Sequence, residues 1–115
     1  MTTLFGIKNC DTVKKARSWL EQHKYDVQFH DFRTDGIDED LITQWLEELG
    51  HDKLVNKRST TWKQLTHDEK ELAMGPEAAA LIQAHPTLIK RPVLSHNNKI
   101  YLGFKADSYS QIFEI

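Results

Sequence analysis

Cys10 is the only cysteine in the chain, and it lies where a short apolar run, Thr3-Leu4-Phe5-Gly6-Ile7, gives way to a helical pattern from Val13. A thiol at a helix start meets unpaired backbone N–H groups and the positive end of the helix dipole, both of which favour thiolate, the nucleophilic form. Lys8 and Lys14 add positive charge on either side, and Asp11 partly opposes it. A thiolate attacks soft electrophiles such as a disulfide sulfur or the arsenic of an oxyanion. With no second cysteine to resolve the adduct, an external thiol has to do so. Much further along, Arg91 precedes Pro92 and offers a planar, permanently charged fork suited to a carboxylate or oxyanion. The competing reading of Cys10 is a small apolar filler, since free cysteines are often buried. Its place at a helix start argues for reactivity.

The elements that must position these residues can be read from periodicity. Leu4 and Phe5 open a short buried strand. Over 12–23, Val13, Ala16, Trp19 and Leu20 share one helical face, with Asp11 or Thr12 as the expected N-cap. Val27 to Phe32 alternates as a second strand and Gly36 ends the unit. Asp38 should cap a helix whose apolar positions are Leu41, Ile42, Trp45, Leu46 and Leu49, stopped by Gly50. Between Lys53 and Lys70 the pattern is irregular and predicts short helical turns anchored by Leu54, Val55, Trp62 and Leu65. Gly75-Pro76 should start another helix with the proline in its first turn. Val93–His96 and Lys99–Leu102 flank an Asn-Asn pair and predict a hairpin. A last helix capped by Asp107 or Ser108 should turn Tyr109, Ile112 and Phe113 inward. The order is that of a mixed α/β sheet with helices packed on it.

Composition narrows the function. At 115 residues one domain is expected, and a lone cysteine suits a reducing compartment. A net charge of −2 argues against a phosphate-dominated grip on nucleic acid. No apolar stretch reaches membrane-spanning length and no signal-peptide pattern opens the chain, so a cytoplasmic protein without a membrane partner is expected. The six histidines lack the spacing of a metal site. Trp19, Trp45 and Trp62 read as core, and Asp38-Glu39-Asp40 as a favourable acidic first turn.

Three segments in order, Gly6 to Ala16 around Cys10, Leu54-Val55-Asn56-Lys57-Arg58-Ser59-Thr60-Thr61-Trp62, and Leu88-Ile89-Lys90-Arg91-Pro92-Val93, carry a resemblance that spans essentially the whole chain. It resembles the arsenate reductase (ArsC) family, and within it the YffB and Spx group. The resemblance implies one thioredoxin-like domain over residues 1–115: a mixed four-stranded sheet flanked by helices. An additional helical segment would be inserted between the N-terminal βαβ-type unit and the C-terminal hairpin. It implies Cys10 as nucleophile, Arg91 as anion partner, and a cis Arg91–Pro92 bond. Lys8, Asn9, Asp11, Thr12, Lys14, Arg58 and Pro92 would complete a pocket for substrate or glutathione. Glutathione would act as co-substrate, with glutaredoxin or another thiol protein as a further partner; no metal is implied, and a monomer is expected.

The departures from the family bear on substrate. Arsenate reductases of this type hold the oxyanion with further arginines. One aligns near Asn56, with Arg58 two residues away, and another near Gly103, where only Lys105 is close. Position 13 is valine, so the Cys-x-x-Cys pair of Spx-type regulators is absent. The leading expectation is a glutathione-dependent thiol reductase or transferase. The alternatives are an Spx-like regulator docking on RNA polymerase, an arsenate reductase, and a scaffold that has lost efficient catalysis.

Overall fold

The computed structural model describes residues 2–115, which form two compact units. The first comprises residues up to Asp35 together with Arg91–Ile115, and the second is the inserted segment Gly36–Lys90.

The first unit is built on a four-stranded sheet of order β2-β1-β3-β4. Strand β1 (Thr2–Gly6) leads through α1 (Asp11–Gln22) to β2 (Gln28–Asp31), which pairs parallel to β1 with Leu4 opposite Phe29 and Gly6 opposite Asp31. After the insert, β3 (Val93–His96) runs antiparallel to β1, with Phe5 opposite Val93, and β4 (Lys99–Leu102) closes the hairpin. This is the thioredoxin-like α/β arrangement expected from the sequence. The hairpin turn is Asn97-Asn98, both at positive φ (51° and 65°), the conformation a two-residue turn between twisted strands requires. Leu4, Ala16, Trp19, Leu20, Leu94 and Tyr109 form the buried centre where α1 and α8 (Ala106–Ile112) meet the sheet. Tyr109 presents its ring edge to Trp19 at 5.5 Å.

The inserted unit is helical: α3 (Glu39–Leu49), α4 (His51–Leu54), α5 (Thr60–Gln64), α6 (His67–Ala73), α7 (Ala78–Ala84) and a 3₁₀ turn at Pro86–Leu88. The stretch after Lys53 is thus a series of short helices, as its irregular pattern implied. Gly50 sits at φ 87°, a left-handed conformation that ends α3 and lets α4 begin at once. Val55 bridges Ile89, bringing the end of α4 against the last residues of the unit.

Several boundaries differ from expectation. Helix α1 is capped by Cys10 itself rather than by Asp11 or Thr12. Phe32 leaves the second strand and opens a short helix, α2 (Phe32–Asp35), because the Asp31 carboxylate accepts the Arg33 N–H at 2.8 Å and starts a helical turn. Pro76 lies outside α7; the Ala78 N–H donates to the Gly75 carbonyl at 3.3 Å, so Gly75 to Glu77 form a link before the helix. Lys105, not Asp107 or Ser108, is the N-cap of α8. Ile112 and Phe113 are half-buried. Trp62 is also only half-buried, since five-residue α5 is too short to carry a full apolar face, and Lys57 and Lys70 each place an ammonium 5.8 Å from its ring.

Candidate functional site

Strand β1 delivers the chain to the end of the sheet at Gly6. Ile7 is buried, Lys8 and Asn9 turn outward, and the Cys10 N–H donates to the Ile7 carbonyl at 3.2 Å. That turn sets Cys10 in extended backbone (φ −100°, ψ 124°), while its carbonyl accepts the first helical bond from Lys14 N–H at 2.9 Å. Cys10 therefore occupies the N-cap of a twelve-residue helix. An N-cap side chain normally accepts from the second or third helical N–H; this one makes no such bond, and the residue is half-buried. The orphan donors of the first turn face the position where a negatively charged group is stabilised.

The position of α1 is set by close packing. A Cβ built on Gly6 would lie 2.7 Å from one Val13 methyl and 3.3 Å from the other, so only glycine lets the helix start sit this near the strand end. Val13 is fully buried. This contact was not legible in the sequence, where Gly6 is only one residue of the apolar run before Cys10.

Pairing of Phe5 with Val93 makes the Arg91-Pro92 segment emerge from the same end of the sheet as the Cys10 loop. The Arg91–Pro92 bond is cis, as the resemblance implied, and Pro92 is buried. Arg91 is half-buried, with its Nε wholly inside. Two residues not anticipated hold Pro92. The Gly103 N–H donates to the Pro92 carbonyl at 2.9 Å, and Tyr109 Oη donates in a long 3.4 Å bond to the Gly103 carbonyl. Gly103 stands at φ 76°, where glycine is favoured. Burial holds the Tyr109 phenol above its ordinary value of 10.0, so it stays a neutral donor.

Of the other expected residues, Lys8, Asn9, Asp11 and Lys14 are exposed on the loop and first turn, and Thr12 is half-buried there. Neither lysine forms an ion pair among the described residues. Arg58 belongs to the inserted unit, where its N–H donates to the Asn56 side-chain oxygen at 3.0 Å. Among the described residues no group of three His, Cys, Asp or Glu side chains could hold a metal ion, and no helix is long and apolar enough to cross a membrane.

Cys10 at the α1 N-cap and the cis Arg91–Pro92 bond thus lie at the same end of a mixed four-stranded sheet, the sheet and the cis bond being what the resemblance implied. The ArsC family profile matches residues 5–112. The chain belongs to the ArsC family. An uncharacterized protein of Haemophilus influenzae is 44% identical over 113 residues, covering 98% of this chain and 99% of that one. A solved YffB protein superposes with a TM-score of 0.90 at 40% identity, over 96% of this chain and 97% of that chain. The global transcriptional regulator Spx of Streptococcus mutans is 32% identical over 109 residues, 93% of this chain and 79% of the regulator. This ArsC-family chain thus has arsenate-reductase-like architecture with relatives that include regulators.

Proposed function

We propose that this ArsC-family protein is a cytoplasmic, monomeric thiol reductase that works through a mixed disulfide between Cys10 and glutathione. The observation that carries the reading is Cys10 at the α1 N-cap, half-buried and without a cap hydrogen bond, on the sheet end that also gives out Arg91 and cis-Pro92.

In the first step the Cys10 thiolate attacks the glutathione sulfur of a glutathionylated substrate. The substrate S–S bond breaks, its electron pair leaves on the substrate sulfur, which takes a proton, and a Cys10–glutathione bond forms. A second glutathione, reacting as thiolate, then attacks the glutathione sulfur of the adduct and releases glutathione disulfide and Cys10. The two electrons gained by the substrate come from the glutathione pool. Arg91 pairs with a carboxylate of the bound tripeptide, and Lys8 and Lys14 supplement it. Asn9 and Thr12 offer polar contacts beside the thiol, and Asp11 tempers the positive field.

Intact-protein mass spectrometry after incubation with oxidised glutathione tests this. One glutathione per chain should add to the parent and none to Cys10→Ser. Arg91→Ala should slow addition about tenfold or more, the loss of one charge-assisted contact. Absence of any adduct from neutral to mildly alkaline pH would sink the proposal. The Spx relatives favour one other reading, a transcriptional regulator. A transcriptional effect that persists in Cys10→Ser, with no adduct in the parent, would decide for it.

A further inference from the structure

Helix α1 and the strands beneath it enclose a cavity of about 220 Å³ within the sheet unit. Leu4 and Phe29, opposite each other in the parallel register, form its floor. Val27 lines it too and falls on the same face by strand alternation. Leu20 of α1 forms the wall, and both leucines are buried. One end is fixed by the way α1 terminates. Lys24 takes a left-handed conformation (φ 58°), and the Tyr25 N–H donates to the Leu20 carbonyl at 3.1 Å, the long bond of a Schellman cap. Tyr25 is thereby brought to the cavity, and its ring stacks on Phe113 at 4.3 Å. Strand β2 is the outermost strand on this side, so the cavity lies at the border of the sheet.

Two opposite charges line the same cavity, Arg17 and Glu21, one turn apart on α1. They do not pair with each other, and among the described residues neither forms an ion pair with another group. A basic residue four positions ahead of an acidic one is the weaker order for such a pair. The Arg17 guanidinium instead lies 4.2 Å from the centre of the Phe29 ring. Stacking engages the face of the guanidinium and leaves its in-plane N–H groups to an external acceptor. The thiol reaction uses neither charge, since Cys10 precedes Arg17 by about 10 Å along the axis of α1.

An apolar molecule on this floor would leave both charges unanswered, and a simple acid or amine would answer one. A molecule with a carboxylate and an ammonium on one carbon, next to an aliphatic chain, answers the floor and both charges. The volume lies below the roughly 300–1,000 Å³ of sites for drug-sized ligands and suits a smaller molecule. We propose that this cavity binds a free aliphatic α-amino acid. Arg17 takes its carboxylate, Glu21 its ammonium, and the side chain lies on Leu4, Leu20 and Val27. The site does not depend on the thiol reaction.

The test is a titration of the full chain followed by amide proton–nitrogen NMR, with leucine, 4-methylpentanoate, 3-methylbutylamine and glycine as probes. The second probe lacks the ammonium of leucine, the third its carboxylate, and the fourth its aliphatic chain. Leucine should give saturable shifts at the amides of Arg17, Glu21, Tyr25 and Phe29, and each other probe should bind about tenfold more weakly or worse. Arg17→Met keeps an unbranched stem over Phe29 and drops the charge. It should weaken leucine and 4-methylpentanoate about tenfold and leave 3-methylbutylamine unchanged. Glu21→Gln should do the reverse, weakening leucine and the amine but not the acid. Both positions are exposed, and the spectra themselves report an intact fold. Cys10→Ser should bind leucine as the parent does. No saturable shift at these amides up to about 20 mM leucine would overturn the proposal. So would a truncated probe that binds as tightly as leucine, or leucine binding unaltered in Arg17→Met/Glu21→Gln together.

Discussion

Replacing Gly6 by alanine tests whether the cysteine is positioned by the fit of α1 against β1. The added methyl would sit 2.7 Å from a Val13 methyl, short of a comfortable carbon–carbon separation by roughly 1 Å. Val13 is fully buried, so it has nowhere to retreat without moving the helix start or leaving its rotamer. Overpacking of this kind costs about 1–3 kcal/mol. Gly6 does not occupy a left-handed conformation, so alanine also recovers about 0.4–1 kcal/mol by restricting the unfolded chain. The net expectation is a loss of about 1–2 kcal/mol.

The partner change separates this mechanism from any other. Val13→Ala alone opens a cavity and should itself destabilise by about 1–3 kcal/mol. Once the valine methyls are gone, Gly6→Ala no longer clashes and fills part of the space, so in that background it should be neutral or stabilising. Urea unfolding of the parent, both single variants and the double variant should give a coupling of about 1–2 kcal/mol in favour of the pair. Additivity within about 0.5 kcal/mol would refute the packing argument. The same four proteins connect packing to chemistry: alkylation of Cys10 should change in Gly6→Ala and return toward the parent rate in the double variant.

Two further predictions concern pH. The Tyr109 phenol is held neutral by burial, with its folded value above the unfolded 10.0, so its contribution is complete below pH 10 and falls as pH rises beyond it. Tyr109→Phe should flatten that alkaline limb in thermal unfolding and lower stability at neutral pH by less than about 1.5 kcal/mol, since its hydrogen bond is long. Glu69 has the opposite sign: the Thr66 N–H donates to its carboxylate at 2.8 Å in a capping box at the start of α6, holding its value below the ordinary 4.5. Its contribution is therefore present above pH 4.5 and lost as pH falls through the folded value, and Glu69→Gln should remove that acid sensitivity in circular dichroism.

How far the sequence revealed the molecule depends on which interactions are local. The Asn97-Asn98 hairpin was legible because the turn residues encode their own left-handed backbone. Helix α3 was legible because Ile42 and Trp45 repeat at helical spacing on a buried face. The cap of α1 was placed one or two residues late because propensity favours Asp11 and Thr12, whereas the turn at Lys8-Asn9 fixes the start at Cys10. Trp62 was misjudged because aromatic character alone does not show that its helix is five residues long. The tight approach of Gly6 to Val13 and the Tyr109-to-Gly103-to-Pro92 chain of hydrogen bonds join residues across element boundaries, and no periodicity within an element announces them.

Gly103 shows how a departure in sequence acquires physical meaning once the backbone is known. Read alone, it marks a place where the arginine of an arsenate reductase is missing. In the fold it holds φ 76°, donates to the Pro92 carbonyl at 2.9 Å and accepts from Tyr109. A Cβ there would meet nothing within 4 Å, so space is open and the barrier is conformational, about 1–2 kcal/mol for a residue other than glycine. At Gly103 the loop thus holds the Pro92 carbonyl through its backbone N–H and carries no guanidinium. The resemblance puts the other such arginine near Asn56, so arsenate would lack two of the guanidinium groups that the family's arsenate reductases offer. A thiol-bound peptide, which carries its carboxylates further from the sulfur, does not require them. These two departures from the family pattern therefore count against arsenate and not against the single-cysteine disulfide reaction proposed above.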